Sequence, residues 1–287
     1  MQTLVRKSLH CLPATVANGH SVRPRQLLDS PPGLRYIVGL MTRAKRQDGR
    51  TAGQLRPVEF EVDFIPSASG SCLVRFGETR VICTASFVPG VPAWLVGKGK
   101  GWLTAEYGML PASTGSRKSR PIGKPDGRGM EIQRIIGRVL RSVVNMEVLG
   151  ENTLYLDCDV IGADGGTRTA SITGAYVALA RALRAAERAG QVKGKVLTGS
   201  VSAISVGIVD GAALLDLDYS EDVRAEVDMN IAVTGAGKYI EIQGSAEHGA
   251  FGHDQLETML QLGKRGCRQL ALLQKKAIAA KAKAKGR

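Results

Sequence analysis

A strand, a glycine turn and a helix follow one another in the stretch TLYLDCDVIGADGGTRTASITGAYVALARAL, residues 153–183. Apolar alternation at its start predicts a strand, and the Ala- and Leu-rich run at its end predicts a helix. Gly165 and Gly166 would let the backbone approach a ligand closely, and the unpaired amides at a helix N-terminus favour an anion. Arg168 would add a bidentate grip on phosphate. The alternative is an ordinary turn, capped by a threonine side chain and with a solvated arginine.

The remaining periodicity predicts a sheet packed by helices. The predicted elements are a strand at 57–64, a hairpin over 71–88, a helix over 130–144, hairpins turning at 210–211 and 235–237, and a closing helix over 255–280. This order of strands and helices is typical of an α/β or α+β fold.

The charge of the chain is concentrated at its ends. The protein has 287 residues and a formal charge of +13. Residues 1–50 contain nine basic and two acidic residues, and residues 275–287 contain six basic residues and no acidic one, so the middle of the chain is neutral. We expect a disordered extension over 1–40, one catalytic domain over 41–277 and a basic tail over 278–287. An RNA-binding function of the folded part must therefore depend on local clusters.

Several classes of protein do not fit the sequence. No apolar run approaches the roughly 20 residues of a membrane span, so we expect no membrane association. The five cysteines are scattered without a Cys-x-x-Cys pair, which indicates free thiols in a reducing compartment such as the cytoplasm and no zinc site. The motif that binds nucleoside triphosphates, Gly-x-x-x-x-Gly-Lys-Ser/Thr, is absent,.

Two further clusters of charge accompany the glycine turn. The segment SRKSRPIGKPDGR, residues 116–128, carries five basic residues and one acid, and is either a polyanion-binding loop or a solvated one. The segment DLDYSEDVRAEVDMN, residues 216–230, contains six carboxylates. Crowded carboxylates suit Mg²⁺ or a general acid, although a solvated acidic loop is the alternative.

Longer stretches place these clusters in a known family. The segments LRPVEFEVDFI, GKGWLTAEYGMLP, LDCDVIGADGGTRTASITGA and EDVRAEVDMN resemble the ribonuclease PH family of phosphorolytic 3′-exoribonucleases. The resemblance extends from Arg43 to about Ala277. It implies the ribosomal-protein-S5-domain-2-like fold and a homohexamer built as a trimer of dimers. It also implies trimming of tRNA precursors and other RNA 3′ ends, with Mg²⁺ as cofactor and inorganic phosphate as co-substrate.

The resemblance also implies roles for individual residues. Arg128, Gly166, Thr167 and Arg168 match the family's phosphate-binding positions, whereas Arg117 and Arg120 match positions that grip tRNA across a subunit boundary. Asp222 and Asp228, six residues apart before Met-Asn, match its catalytic and metal-associated pair, and the division of metal binding and acid catalysis between them is open.

Three residues depart from the family's usual choices. Ala112 replaces an arginine, Val223 a serine, and Gly129 a threonine or serine. None of these changes removes a phosphate-binding or catalytic position. Two other functions remain alternatives at this point, a non-catalytic RNA-binding ring subunit and a nucleotide-dependent kinase on a related fold.

Overall fold

The computed structural model describes residues 46–120, 126–247 and 249–280. The predicted extension over 1–40 and the tail residues 281–287 lie outside this part of the chain. Within it, the first sheet is built from β1 (Val58–Val62), β2 (Gly70–Phe76), β3 (Thr79–Pro89), β4 (Trp102–Met109) and β5 (Asn152–Gly162). Its strand order is β1-β2-β3-β5-β4, with antiparallel pairing except between β4 and β5, which are parallel.

The second sheet follows in the C-terminal part of the chain. Its strands are β6 (Val201–Val209), β7 (Ala212–Leu215), β8 (Val227–Thr234) and β9 (Tyr239–Ala246), in the order β7-β6-β8-β9 and antiparallel throughout. The α-helices of the described residues are α1 (Gly127–Arg141), α2 (Met146–Leu149), α3 (Thr167–Arg188), α4 (Tyr219–Asp222) and α5 (His253–Ala279), and a short 3₁₀ helix covers Ala93–Leu95.

Helix α3 forms the centre of the molecule. It packs against β2 and β3 of the first sheet and against β6 of the second. Its Ala- and Leu-rich sequence explains this position, because small side chains let a helix approach strands on both sides. Every residue from Thr169 to Leu183 is buried. Helix α1 covers β4, and α5 covers β6, β7 and β8. The resulting mixed α/β fold confirms the predicted class.

The structure corrects three details of the sequence prediction. Helix α1 begins at Gly127, three residues before the predicted start, because the Asp126 side chain caps it by accepting from the Arg128 amide. The same helix ends at Arg141 rather than at 144. Strand β4 was not predicted, because Ala105 and Gly108 dilute its apolar alternation.

The described residues include four of the five cysteines. Cys72, Cys83, Cys158 and Cys267 are free and buried. No helix among the described residues is long and apolar enough to cross a membrane.

Candidate active site

A cavity of about 520 Å³ is lined by residues from both sheets. Its walls come from the glycine turn and first residues of α3, the segment after β4, the first turn of α1, helix α4 and strand β8. The cavity brings together the residues that the sequence predicts for phosphate binding and catalysis, which are Arg128, Gly166, Thr167, Arg168, Asp222 and Asp228. Residues far apart in sequence thus share one concave site.

The glycine turn is shaped by left-handed backbone. Gly165 and Gly166 have φ angles of 72° and 65°, values that glycine adopts at little cost. A Cβ on Gly165 would lie 2.6 Å from the Leu217 carbonyl oxygen, so this position also lets the turn approach the segment that leads into α4. The turn therefore joins the phosphate-binding residues to the element that carries Asp222.

The N-terminus of α3 is open towards the cavity. No side chain of the described residues caps this helix at Gly166, which excludes the capped turn considered as an alternative. The Thr169 hydroxyl donates to the Gly166 carbonyl at 3.0 Å, and the Tyr107 hydroxyl donates to Thr167 Oγ1 at 2.9 Å. The first amides of α3 and the positive end of its dipole are thus available to an anion.

Two arginines add positive charge to this anion site. Arg128 stands in the first turn of α1, where the Asp126 cap orders the backbone. Arg168 donates from Nη1 to the side-chain oxygen of Gln243, and Gln243 donates in turn to Glu131 Oε1 at 2.7 Å. Arg168 is therefore held by a neighbouring side chain, which excludes the alternative of a solvated arginine.

Asp222 and Asp228 face the same cavity from different elements. Burial raises the pKa of Asp222, and the positive charges of Arg128 and Arg168 oppose this shift. Burial, and then the negative charge of Asp222, raise the pKa of Asp228 to about 6. Strand β8 projects the Asp228 side chain alongside that of Asn230, two residues on,. One carboxyl of the pair is thus suited to hold a proton near neutral pH.

The two carboxylates fit a magnesium ion. Mg²⁺ is commonly bound through one or two carboxylates together with substrate phosphates and water. The mutual repulsion of Asp222 and Asp228 would be relieved by a cation between them. The described residues contain no cluster of three or more His, Cys, Asp or Glu with metal-binding geometry, so a cation here would take its other ligands from substrate and solvent.

The arginines predicted to bind RNA lie at the edge of this site. Arg117 and Arg120 are exposed in the segment after β4 and do not line the cavity. Arg120 lies close enough to Asp159 to lower its pKa, although burial has the larger and opposite effect on that carboxyl. Lys118, between the two arginines, does line the cavity. The prediction assigned this lysine to the basic cluster but gave it no role.

Sequence reasoning also missed polar residues beneath the site. Of the acidic cluster at 216–230, Asp216 is 0% and Glu221 2% exposed. Arg56 donates to Asp216 from Nε at 3.1 Å and from Nη2 at 2.7 Å, and Arg46 donates to Glu221 from Nε and Nη2 at 2.7 and 2.6 Å. The alternative of a solvated acidic loop is therefore wrong for these two residues.

Comparison with protein families agrees with this geometry. A family model described as the 3′ exoribonuclease family, domain 1, matches residues 54–184, and domain 2 of the same family matches residues 199–266. The chain belongs to the RNase PH family of 3′ exoribonucleases. The two matched regions contain the first sheet with most of α3 and the second sheet with α4, so residues from both regions line the cavity.

Solved structures share the fold at low sequence identity. Rice (Oryza sativa) Rrp46 is 19% identical with a TM-score of 0.66, over 81% of this chain and 100% of the rice chain. The Archaeoglobus fulgidus exosome with RNA bound to its active site gives 21% identity and a TM-score of 0.66, over 84% of this chain and 96% of the other. An archaeal exosome core gives 21% and 0.63, over 85% and 96%. These similarities confirm the RNase PH-like fold.

Proposed function

We propose that this protein is a phosphorolytic 3′→5′ exoribonuclease. The reaction converts an RNA of n+1 nucleotides and inorganic phosphate into an RNA of n nucleotides and a nucleoside 5′-diphosphate. The observation that carries the proposal is the shared cavity, in which an open helix N-terminus and two arginines face two aspartates with raised pKa values. An anion site next to a proton donor is what attack by phosphate on a phosphodiester requires.

The cationic side of the cavity would bind and orient the nucleophile. Arg128, Arg168 and the amides following Gly166 surround one region of the cavity. Positive charge here offsets the repulsion between attacking phosphate and the phosphodiester, which is the main electrostatic obstacle to the reaction. Free phosphate is favoured over a nucleoside triphosphate because the triphosphate-binding motif is absent from the sequence,. This absence also disfavours the kinase alternative.

The acidic side would serve the leaving group. When the terminal phosphodiester breaks, the 3′-oxygen of the shortened RNA needs a proton, and the carboxyl pair of Asp222 and Asp228 can donate it. Because the two interact, the pair rather than either residue is assigned this role. A Mg²⁺ ion associated with the same pair would stabilise negative charge on the transferred phosphoryl group, with one carboxylate as its ligand while the other holds the proton, and which residue takes which role is open.

The non-catalytic ring subunit remains the second candidate. Its favouring observation is the similarity of the fold to exosome components. It is disfavoured here because each predicted phosphate-binding and catalytic residue is retained and lines one cavity.

Substrate and assembly are also part of the proposal. We propose that precursor tRNA is trimmed, that the protein assembles as a homohexamer, and that it acts in the cytoplasm. The exposed Arg117 and Arg120 support an RNA partner,, the family membership supports a ring, and the buried free thiols suit a reducing compartment,.

One assay separates the candidates. Purified protein is incubated with a short RNA and Mg²⁺, with and without inorganic phosphate, and the products are identified by chromatography. Nucleoside diphosphates that form only with phosphate are expected. Monophosphates would mean hydrolysis and would rule out the proposal, and no product under either condition would favour the non-catalytic subunit.

The first variant to test is Arg168→Ala. We expect the half-saturating phosphate concentration to rise at least about tenfold, because a charge-assisted contact to phosphate is lost. Arg188→Ala is the matched control, since Arg188 ends the same helix outside the cavity. An unchanged phosphate dependence in Arg168→Ala would remove this residue from the anion site.

A further inference from the structure

Helix α4 presents an exposed aromatic ring at the mouth of the cavity. Tyr219 lines the cavity, yet it is 62% exposed. Val223, one turn later, is 66% exposed, and its amide donates to the Tyr219 carbonyl at 3.1 Å. Residues four apart on a helical turn are neighbours on one face, and we call Tyr219 and Val223 together the α4 platform.

The fold does not account for the α4 platform. The opposite side of α4 supplies its anchoring, through buried Glu221 and its contacts with Arg46. The backbone amide of Tyr219 donates to Asp164 Oδ1 at 3.2 Å, which fixes the position of the residue. Among the residues that the structure describes, no ring contact or hydrogen bond engages the Tyr219 side chain. Exposed apolar surface of this kind next to a functional cavity is typical of a ligand contact.

The neighbours of the platform define what can occupy it. Tyr219 precedes Asp222 by three residues, so both side chains project from one turn towards the cavity,. Gly165 lies so close that a Cβ on it would come within 2.9 Å of the Tyr219 amide nitrogen. An occupant must therefore carry a flat apolar face and be joined to a phosphoryl group that lies next to the phosphate bound at the glycine turn. A nucleotide has this combination of features.

We infer that the α4 platform stacks the nucleobase of the 3′-terminal nucleotide. The inference rests on the proposed function, which assigns the scissile phosphodiester to the cavity and the upstream RNA backbone to the segment with Arg117 and Arg120. The terminal base is the part of the substrate that these contacts leave unheld. An aromatic face accepts every base because each has a π-face. The platform would thus retain the terminal nucleotide without selecting its sequence.

The test compares RNAs that differ only in the terminal base. One set ends in A, C, G or U, and the other ends in a ribose that lacks a base. For the wild-type protein we expect kcat/KM to be about tenfold higher with a base, irrespective of which one. In Tyr219→Ala the ratio of kcat/KM with a base to kcat/KM without one should fall to about two or less. Tyr219→Phe should retain the tenfold ratio because the ring is kept. Val223→Ser should give an intermediate ratio.

Controls separate this inference from its alternatives. Tyr239→Ala removes another partly exposed tyrosine, one that lies on β9 outside the cavity, and should leave the ratio unchanged. With the abasic site moved five nucleotides upstream, the ratio of kcat/KM between intact and abasic RNA should be close to one in both the wild type and Tyr219→Ala. A tenfold ratio that persists in Tyr219→Ala would overturn the inference. So would a ratio that depends on the upstream abasic site rather than on the terminal one.

Two outcomes have other meanings. If Tyr219→Ala changes the native mass of the assembly, the platform is a subunit contact and the inference is wrong. If the wild-type protein forms no nucleoside diphosphate from any RNA, the proposed function fails and the inference falls with it. Normal phosphorolysis with an unaltered ratio in Tyr219→Ala would refute the inference alone.

Discussion

The carboxyl group of Asp228 is held where its charge is disfavoured. Burial and the neighbouring Asp222 raise its pKa to about 6, against an ordinary value of 3.8. Between these two pH values the folded protein keeps the proton and the unfolded chain releases it. Stability therefore falls as the pH rises from about 4 to 6, by roughly 1.4 kcal/mol for each pH unit. Above pH 6 Asp228 is ionised in both states, and the full loss of unfolding free energy remains at all higher pH values.

This cost predicts a stabilising substitution in the cavity. Asp228→Asn should raise the free energy of unfolding by about 2–3 kcal/mol at pH 8 in metal-free buffer, and much less near pH 3, where the aspartate is mostly neutral in both states. Denaturant unfolding at several pH values with a chelator measures the difference. The same substitution should abolish phosphorolysis, since it removes one carboxyl of the pair proposed to donate the proton and to bind the metal.

A control distinguishes this effect from a general loss of surface charge. Asp210→Asn alters an exposed carboxylate whose partner is Arg224, and it should change stability by less than about 1 kcal/mol. Equal stability of Asp228→Asn and wild type at pH 8 would mean that the environment of Asp228 does not oppose its charge.

At the scale of elements, buried ion pairs fix α4 against the glycine turn. Asp216 accepts from the Arg56 amide at 2.8 Å and from its guanidinium, and Arg56 also donates to the Asp164 carbonyl. One arginine thus links the residue that precedes Gly165 to the segment that precedes α4. Breaking a buried pair leaves an uncompensated charge, which is more costly than losing an exposed one.

Asp216→Asn tests this role of the buried network. Asp216 has a positive φ of 57°, a conformation that asparagine tolerates, so the substitution mainly removes charge. We expect a loss of about 3 kcal/mol in the free energy of unfolding, measured by urea denaturation at pH 7. Glu78→Gln is the matched control, because it breaks the exposed pair with Arg80 and should cost less than about 1 kcal/mol. Comparable losses in both variants would show that burial adds nothing to the pair at Asp216.

Local patterns predicted the elements better than the partners of their polar residues. The strand, glycine turn and helix around Gly165 follow from periodicity and glycine placement, which depend on near neighbours in sequence. Which carboxylates of the acidic cluster are buried does not follow from local patterns, because the partners of Asp216 and Glu221 lie 160 and 175 residues away. No local signal separates these buried carboxylates from Asp222, which faces the cavity. The roles of Asp222, Asp228 and the arginines stay predictions.

At the scale of the whole molecule, the arginines predicted to bind RNA lie at the periphery of the site. Arg117 and Arg120 are exposed and outside the cavity of their own chain. This placement is consistent with the proposal that they serve a neighbouring subunit of a ring. Closed symmetric assemblies repeat the same contact around the ring, so each cavity would receive the arginines of one neighbour. Native mass spectrometry should give six times the monomer mass of 30.5 kDa.

Mixed rings test whether the arginines act across the subunit boundary. One variant, Asp228→Asn, lacks a working cavity but keeps its arginines; the other, Arg117→Ala with Arg120→Ala, keeps its cavity. If the arginines act on a neighbour, co-expressed rings should regain phosphorolysis at about a quarter of the wild-type sites, the share expected from random assortment around a symmetric ring. If they act within their own chain, no protomer is complete and activity stays at that of the arginine variant alone. The control for dilution is co-expression of the arginine variant with a chain that carries all three substitutions. These mixed rings contain no intact Arg117 or Arg120 and should regain no phosphorolysis.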